Sequence, residues 1–417
     1  MNGFADVGRA LHATGFVSDP WLDGAPRFAP GVTLGAARWR EMAAAAAGIA
    51  RVHDELAQIV AAAPELADSF FGLTPWQRGM WLCAAPDWHG IARADVFMTA
   101  HGAKVCELNS DTPSGAAEAV LCNRLTAADA PPRLDPNADL PRRFVAMIET
   151  RARCCGHTGP LTVGILYPTE MPEDLSMIAI YRQWLAAAGH AVVLGSPFNL
   201  GLAADGRATL FDVPCDAIVR HYKTDWFGER LPVADDDPPV EDRAPLAGPL
   251  LHLLHAAVER RTAVCNPFGA VLTQNKRALA FCWEEQARFG AASREAIARW
   301  LPRTHRLEHV REDLWHDKDR WVLKSDYGCE GDEVVIGRHV DQATWDAALT
   351  HVIARRWVAQ QYFEPLPEPD GNVHNHGVYV IGGAPAGVLL RVHGAGVATD
   401  TSACIAPVLI GEGPVDG

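Results

Sequence analysis

The sequence has little of what nucleic-acid, membrane or secreted proteins need. Its 417 residues carry 37 lysines and arginines against 51 aspartates and glutamates, a formal net charge of −14. The basic residues form no cluster, so nucleic acid is not an expected partner. No window reaches the roughly 20 apolar residues that a membrane-spanning helix needs, and the start lacks the basic and apolar segments of a secretory signal. We therefore expect a cytoplasmic protein with no membrane partner.

Common signatures of cofactor and metal binding are also missing. The ten cysteines form no CxxC pair and follow no regular spacing, which favours reduced, buried thiols over disulfides or a structural zinc site. The chain has neither the GKS or GKT of a Walker A loop nor the GxGxxG of a dinucleotide-binding site. The histidines His374 and His376 share one face of a predicted strand, and we interpret them as a surface pair rather than metal ligands.

What the sequence does contain is a predicted β-hairpin over residues 93–109. Two apolar-rich segments flank residues 100–102, which we read as a three-residue loop with Gly102 at positive φ. Folding about His101 pairs two residues of the first strand with two of the second: Asp95 with Glu107, and Arg93 with Asn109. Because strand side chains alternate, all four point to one face of the hairpin.

This face has the chemistry of a hard-metal site. Asp95 and Glu107 would repel each other across the ladder unless a cation lay between them. Carboxylate and amide oxygens, with no thiolate or imidazole nearby, are ligands that suit Mg²⁺. The other interpretation is a hairpin whose polar face looks at water, as in many antiparallel sheets.

The length predicts two or three lobes rather than one core. We divide the chain into a mainly helical region at 1–80, with an Ala-rich helix from 36 to 62, and a hairpin region at 81–140. A strand–helix–strand pattern at 141–265 predicts a small parallel α/β lobe. Residues 266–417 hold the remaining strands and helices, so the predicted fold class is mixed α/β.

The last region carries two lysines suited to phosphate. Lys324 ends a predicted strand before a loop that contains Gly328 and Gly331, and such a loop can fold over a triphosphate. Lys276 lies at the start of a predicted helix, residues 275–288. Such a loop and lysine often occur by chance, but together with the hairpin they indicate the nucleotide site of an ATP-grasp ligase.

Several motifs, in order, then resemble one family. They are Arg93-x-Asp95 with Glu107-Leu-Asn109-Ser-Asp-Thr-Pro113, Asn266-Pro267, Gln274-Asn-Lys276, Cys282-Trp-Glu284, Val322-Leu-Lys324, Gly328-Cys-Glu-Gly331, Gln360-Gln-Tyr-Phe-Glu-Pro-Leu-Pro367 and Gly383-Ala-Pro-Ala-Gly387 leading to Arg391. Over roughly residues 75–410 the chain resembles the synthetase domain of the glutathionylspermidine synthase family. The resemblance implies a circularly permuted ATP-grasp fold with a pre-ATP-grasp-like α/β lobe.

The resemblance also implies roles for individual residues. Two Mg²⁺ ions would be held by Asp95, Glu107 and Asn109. The catalytic arginines would be Arg93, which steadies the transferring phosphoryl group, and Arg391, which faces the phosphates. ATP would be bound by Lys276, Lys324, Gly328, Glu330, Gly331, Gln360 and Gln361. The acid and amine substrates would contact Ser110, Thr112, Ser114 and Glu173.

The implied activity is an ATP- and Mg²⁺-dependent carboxylate–amine ligation through an acyl phosphate. The partners would be a peptide or amino-acid carboxylate and a polyamine or other amine. Two departures bear on this: Cys329 replaces an arginine of the family's lid, and Pro172 replaces the first residue of an acidic pair linked to polyamine recognition. A biosynthetic ligase with a different acid and amine, or a non-catalytic nucleotide-binding protein, are therefore the alternatives. The oligomeric state is not predicted.

Overall fold

A computed structural model describes residues 4–16, 21–22, 25–26, 28–126, 134–169, 174–228, 246–328, 333–352, 356–369, 371–394 and 403–411. The helices in these ranges are α1 (Phe4–Thr14), α2 (Ala36–Ala62), α3 (Leu66–Ser69), α4 (Pro75–Ala84), α5 (Ala116–Thr126), α6 (Leu140–Cys154), α7 (Leu175–Ala187), α8 (Thr224–Gly228), α9 (Ala247–Val258), α10 (Ala270–Gln274), α11 (Arg277–Glu284), α12 (Ala291–Trp300), α13 (Leu307–His316) and α14 (Gln342–Val352). Short 3₁₀ helices occur at Pro197–Asn199, Gln286–Arg288, Lys318–Arg320 and Gly337–His339.

The strands in the same ranges are β1 (Trp21–Leu22), β2 (Ala25–Pro26), β3 (Val32–Gly35), β4 (Ile91–Thr99), β5 (Gly102–Asn109), β6 (Thr162–Leu166), β7 (Ala191–Gly195), β8 (Leu200–Leu202), β9 (Ala208–Leu210), β10 (Val213–Pro214), β11 (Ala217–Arg220), β12 (Ala263–Cys265), β13 (Thr304–Arg306), β14 (Trp321–Ser325), β15 (Val334–Ile336), β16 (Trp357–Gln361), β17 (Val373–Ile381), β18 (Ala384–His393), β19 (Cys404–Ala406) and β20 (Val408–Gly411).

The predicted hairpin is part of a five-stranded antiparallel sheet with strand order β19-β18-β17-β4-β5. Helix α2 covers one face of this sheet, where Ala92, Ala94 and Val96 of β4 join its buried residues in one core. Alanine favours the helical conformation, and α2 stops just before Pro64, which cannot continue a helix. The alternate residues of β4, Arg93 and Asp95, point to the opposite face.

The predicted cross-strand pairs form, although the loop differs from the prediction. Arg93 lies opposite Asn109 and Asp95 opposite Glu107. The loop has two residues rather than three, because Thr99 already pairs with Gly102. A register shift next to Asp95, which leaves Cys106 as the extra residue of β5, restores the predicted pairing. Gly102 has a φ of 96°, as predicted for a glycine at the turn.

The two other larger sheets complete the mixed α/β fold. Strands β12-β11-β6-β7 form the predicted parallel sheet, packed against α6, α7 and α9. Strands β13-β16-β14-β15 form an antiparallel sheet packed against α13 and α14. The helix predicted over residues 275–288 is wrong as a single element: α10 ends at Gln274 and α11 begins at Arg277, so Lys276 lies at the break between them.

The cysteines match the expectation of reduced, buried thiols only in part. All cysteines in the described part of the chain are free; Cys122, Cys215, Cys265 and Cys282 are buried, but Cys154 is exposed. Across the described ranges, no helix combines the length and apolarity needed to cross a membrane.

The interpretation of His374 and His376 as a surface pair is wrong, because both side chains are buried. Strand alternation turns them away from the face of Arg93 and Asp95 and towards α2. His53 is buried as well, and His89 is half-buried. Burial lowers the pKa of His53 and His89 to about 4, and that of His376 to about 3.

These histidines predict a loss of stability in mild acid. The unfolded imidazoles take up protons near pH 6.5, whereas the folded ones remain neutral until about pH 4 or 3. The unfolded state therefore binds more protons in that window, and the free energy of unfolding falls as the pH drops through it. Urea unfolding at pH 7.5 and pH 5 should show a smaller acid-induced decrease for His376→Leu than for the wild type. The exposed control His101→Gln should keep the full decrease, and equal decreases in all three proteins would contradict the prediction.

Candidate active site

Three charged side chains from two strands, Arg93 and Asp95 of β4 and Arg391 of β18, meet on the face of the main sheet opposite α2. Asp95 is 2% exposed. Its Oδ1 accepts a hydrogen bond from Arg93 Nε at 2.9 Å, and its Oδ2 accepts one from Arg391 Nη2 at 2.5 Å. Burial alone would raise the pKa of Asp95, but the charges of Arg391 and Arg93 outweigh it and hold that pKa well below its usual value. Asp95 is therefore ionised, and it fixes both predicted catalytic arginines.

The position of Arg93 depends on a glycine that the sequence did not single out. Gly377 of β17 lies opposite Asp95, and a Cβ at this position would lie 2.7 Å from Cδ of Arg93. The missing side chain lets Arg93 lie across the sheet, where its Nη1 donates to the carbonyl oxygen of Ser114 at 3.0 Å.

The predicted metal ligands converge beside this pair of arginines. Asn109 Nδ2 lies 3.4 Å from Asp95 Oδ2 and 3.3 Å from Glu107 Oε1. Among the described residues, no three His, Cys, Asp or Glu side chains form a metal cluster, so the amide oxygen of Asn109 would have to complete the set. The donors fit Mg²⁺, since all of them are hard oxygens.

Both predicted phosphate lysines reach this hairpin. Lys276 Nζ lies 3.8 Å from Glu107 Oε2 and also donates to the carbonyl oxygen of Gly328. Lys324 Nζ lies 3.3 Å from the carbonyl oxygen of Cys106, which also accepts a hydrogen bond from Gln360 Nε2 at 3.1 Å. The lysines thus approach the predicted metal-ligand face from two different parts of the chain.

Two of the predicted nucleotide contacts sit on opposite faces of β16. Gln360 is buried against β5, whereas Gln361 is the next residue along the strand and points the other way. The structure therefore brings Gln360, but not Gln361, to the hairpin.

The base of the predicted lid is built from short-range contacts. Ser325 Oγ donates to Glu333 and accepts from the backbone N–H of Gly328 at 2.8 Å. A Cβ on Gly328 would lie 2.4 Å from Ser325 Oγ, so this turn has no room for a side chain. The predicted contacts Glu330 and Gly331, together with Cys329, lie outside the described residues.

The predicted substrate residues in the segment after the hairpin differ in their exposure to solvent. Ser110 is 0% exposed and its Oγ is 2.7 Å from Thr273 Oγ1, a contact inside the protein. Thr112 is half-buried and Ser114 is exposed. Glu173 lies outside the described residues, as does Pro172.

Comparison with known proteins assigns the chain to a family. A family model described as glutathionylspermidine synthase preATP-grasp matches residues 42–410. The chain belongs to this family. Membership gives the mixed α/β fold its ATP-grasp type and supports a ligase. No curated protein matches the sequence.

Two solved structures are similar to this chain at low sequence identity. A glutathione synthetase-like effector from Globodera pallida has a TM-score of 0.61 and 9% identity, with 98% of this chain and 96% of that chain covered. A RimK domain ATP-grasp protein from Sphaerobacter thermophilus has a TM-score of 0.30 and 17% identity, with 58% of this chain and 89% of that chain covered. The first similarity concerns the fold alone.

In this member of the glutathionylspermidine synthase family, a buried ion pair ties the site to the parallel lobe. Asp111 forms an ion pair with Arg220 of β11, and both side chains are almost fully buried. The backbone N–H and the hydroxyl of Thr224 also donate to Asp111, each at 2.6 Å. The sequence reasoning did not assign Asp111 a role, because its partner lies 109 residues away.

Two amide side chains, those of Asn266 and Gln274, also bind the segment that contains Ser110 and Asp111. Asn266 Nδ2 donates to the carbonyl oxygens of Ile91, Ser110 and Asp111, each at 2.8 Å. Gln274 Oε1 accepts from the backbone N–H groups of Ser110 and Asp111 at 2.7 and 3.0 Å. The motifs that contain Asn266 and Gln274 carried the family resemblance, and here they fix the segment that follows the β4–β5 hairpin.

Proposed function

We propose that this protein is an ATP- and Mg²⁺-dependent ligase that joins a carboxylate to an amine through an acyl phosphate. The observation that supports it is the convergence of oxygen ligands, two lysines and two arginines on one face: Asp95, Glu107, Asn109, Lys276, Lys324, Arg93 and Arg391. Such a set neutralises a triphosphate and the charge that develops during acyl transfer. The family described above supports the same reaction class.

Each side chain has a task in this proposal. Lys276 and Lys324 would offset the phosphate charges of ATP from two sides, and Gln360 would meet the nucleotide at β16. Asp95 would hold Arg93 and Arg391 in place for the transferring phosphoryl group. Two bound Mg²⁺ ions, held by Asp95, Glu107 and Asn109, would supply further charge neutralisation at the phosphates.

The partners in this proposal are small molecules: an amino-acid or peptide carboxylate and an amine. Glutathione with spermidine is one pair that the family name suggests. A different acid and amine are equally compatible with Pro172, which stands where the family has an acid. The second candidate function is nucleotide binding without catalysis, which the retention of both lysines and both carboxylates disfavours.

A crossed substrate screen tests the proposal. Amino acids and short peptides, glutathione among them, are combined with polyamines, diamines and amino acids in the presence of ATP and Mg²⁺. We expect ADP and phosphate only where an accepted acid and an accepted amine are both present. Nucleotide binding with no ADP formation in any combination would favour the non-catalytic alternative.

A further inference from the structure

A small cavity adjoins the proposed site. Its volume is about 10 Å³, which is room for one water molecule and no more. Its walls include His53 of α2, Glu107 and Leu108 of β5, and Asn275 and Lys276 at the break between α10 and α11. Glu107 is a predicted metal ligand and Lys276 a predicted phosphate contact. The cavity therefore borders the groups that would hold the nucleotide.

The side chain of His53 brings an unused hydrogen-bond acceptor to this cavity. His53 is 1% exposed, and its Nδ1 lies 2.8 Å from the carbonyl oxygen of Ile49, one turn earlier in α2. Burial lowers the pKa of His53 to about 4, so the ring is neutral near pH 7. A carbonyl oxygen can only accept, so Nδ1 carries the proton and Nε2 keeps a lone pair. Nε2 is shielded from solvent and has no hydrogen-bond partner in the described part of the chain.

Asn275 brings an unused donor to the same cavity. Its side chain is fully buried, and its Oδ1 accepts a hydrogen bond from the backbone N–H of Arg277 at 2.8 Å. The amide nitrogen Nδ2, which has two N–H groups, makes no hydrogen bond to any residue that the structure describes. Burial raises the pKa of Tyr327, and the nearby Asn275 opposes that rise, but the Tyr327 hydroxyl donates its own proton to the carbonyl oxygen of Val271 at 2.7 Å. A single tyrosine oxygen could satisfy only one of the two N–H groups, so a donor is left over.

One water molecule would satisfy both side chains. It can accept from Asn275 Nδ2 and donate to His53 Nε2 at the same time. A metal ion cannot accept a hydrogen bond, and an anion such as chloride cannot donate one. A buried water is favoured where a cavity of this size presents otherwise unpaired polar atoms, and leaving those atoms unpaired would be costly.

We propose that an ordered water in this cavity joins His53 to Asn275 and so positions Lys276 for the nucleotide. The inference rests on the proposed function, because it assigns Lys276 to the phosphates of ATP. The backbone N–H of Lys276 donates to the carbonyl oxygen of Asp326 at 2.8 Å, and its Nζ lies 3.8 Å from Glu107 Oε2. The water would hold the residue before Lys276 to α2. His53 is then a positioning residue, since it acts on the phosphate contact through the water and Asn275.

Two substitutions at His53 test this role. His53→Phe keeps an aromatic ring but has no acceptor, whereas His53→Gln places an amide oxygen near the position of Nε2. The affinity for a non-hydrolysable ATP analogue with Mg²⁺ is measured by calorimetry, together with the thermal unfolding midpoint. Removing a group that orients a ligand-binding side chain typically costs about 10–100-fold. We expect His53→Phe to bind about tenfold more weakly, and His53→Gln to bind nearly as tightly as the wild type.

His376→Phe is the matched control. His376 is also a fully buried histidine, but it does not line the cavity. The control should bind the analogue like the wild type, even if its unfolding midpoint falls. Equal losses of affinity in His376→Phe and His53→Phe, or in His53→Gln and His53→Phe, would refute the role of His53, because the missing acceptor would then not be the cause.

A crystal structure of the wild-type protein tests the water directly, whether or not the variants fold. We expect one water within hydrogen-bonding distance of His53 Nε2 and Asn275 Nδ2. A dry cavity, or a metal ion in it, would overturn the inference. Unchanged affinity in His53→Phe would refute the positioning role while leaving the ligase activity standing. A wild type that binds no ATP analogue would refute the proposed function, and the positioning role with it.

Discussion

Replacing Glu107 with glutamine is expected to lower the rate of ADP formation about 10²–10³-fold without unfolding the protein. The substitution removes one negative charge from the predicted metal face and leaves the size of the side chain unchanged. Glu107 is 26% exposed, and its nearest cation, Lys276, is 3.8 Å away. Because such a partly exposed, long ion pair contributes little to stability, the loss should concern catalysis.

The measurement compares initial rates of ADP release at several Mg²⁺ concentrations, together with the thermal unfolding midpoint. A higher Mg²⁺ requirement in Glu107→Gln would connect the defect to the metal. Glu65→Gln, at an exposed position between α2 and α3, is the matched control and should behave as the wild type. Full activity in Glu107→Gln would remove Glu107 from the proposed site.

The second large effect concerns the buried ion pair between Asp111 and Arg220. Asp111→Ala would leave the guanidinium of Arg220, which is 0% exposed at its side chain, without its carboxylate. Removing one partner of a buried pair costs about 3–5 kcal/mol, because the remaining charge stays buried and uncompensated. We therefore expect a clear fall in the urea midpoint of Asp111→Ala.

A double variant distinguishes the stability lost with the ion pair itself from the cost of leaving Arg220 buried without its carboxylate. Asp111→Ala combined with Arg220→Met removes both charges and should recover part of the stability. Asp68→Ala breaks an exposed ion pair with Arg78 and should leave the midpoint unchanged. If Asp111→Ala unfolds at the same urea concentration as the wild type, the pair does not hold the segment after the hairpin to the parallel lobe.

The hairpin shows how much of the site could be predicted from local sequence patterns. The sequence predicted the pairs Asp95–Glu107 and Arg93–Asn109, and the structure contains them. The predicted loop was one residue too long, and the register shift at Cys106 compensates for that difference. Turn length and the position of a bulge depend on the contacts of the whole sheet, which apolar alternation does not encode.

The break at Lys276 shows the same limit in a helical segment. The apolar pattern from 275 to 288 favours one helix, and it gives no sign that the chain turns there. Lys276 N donates instead to the carbonyl oxygen of Asp326 at 2.8 Å, a residue next to the strand that carries Lys324. A contact across 50 positions in the chain thus decides where α11 begins.

The sequence by itself determined the chemical character of the site: paired carboxylates, an amide and an arginine within one hairpin, two distant lysines, and the order of motifs that indicates the family. These features can be recognised from the sequence alone because they depend on side-chain type and on short spacings along the chain. Only the tertiary structure decided which distant groups meet. Arg391 reaches Asp95 across 296 residues, and Arg220 reaches Asp111 across 109. Those contacts follow from the strand order of the main sheet and from the packing of the parallel lobe against the segment after the hairpin.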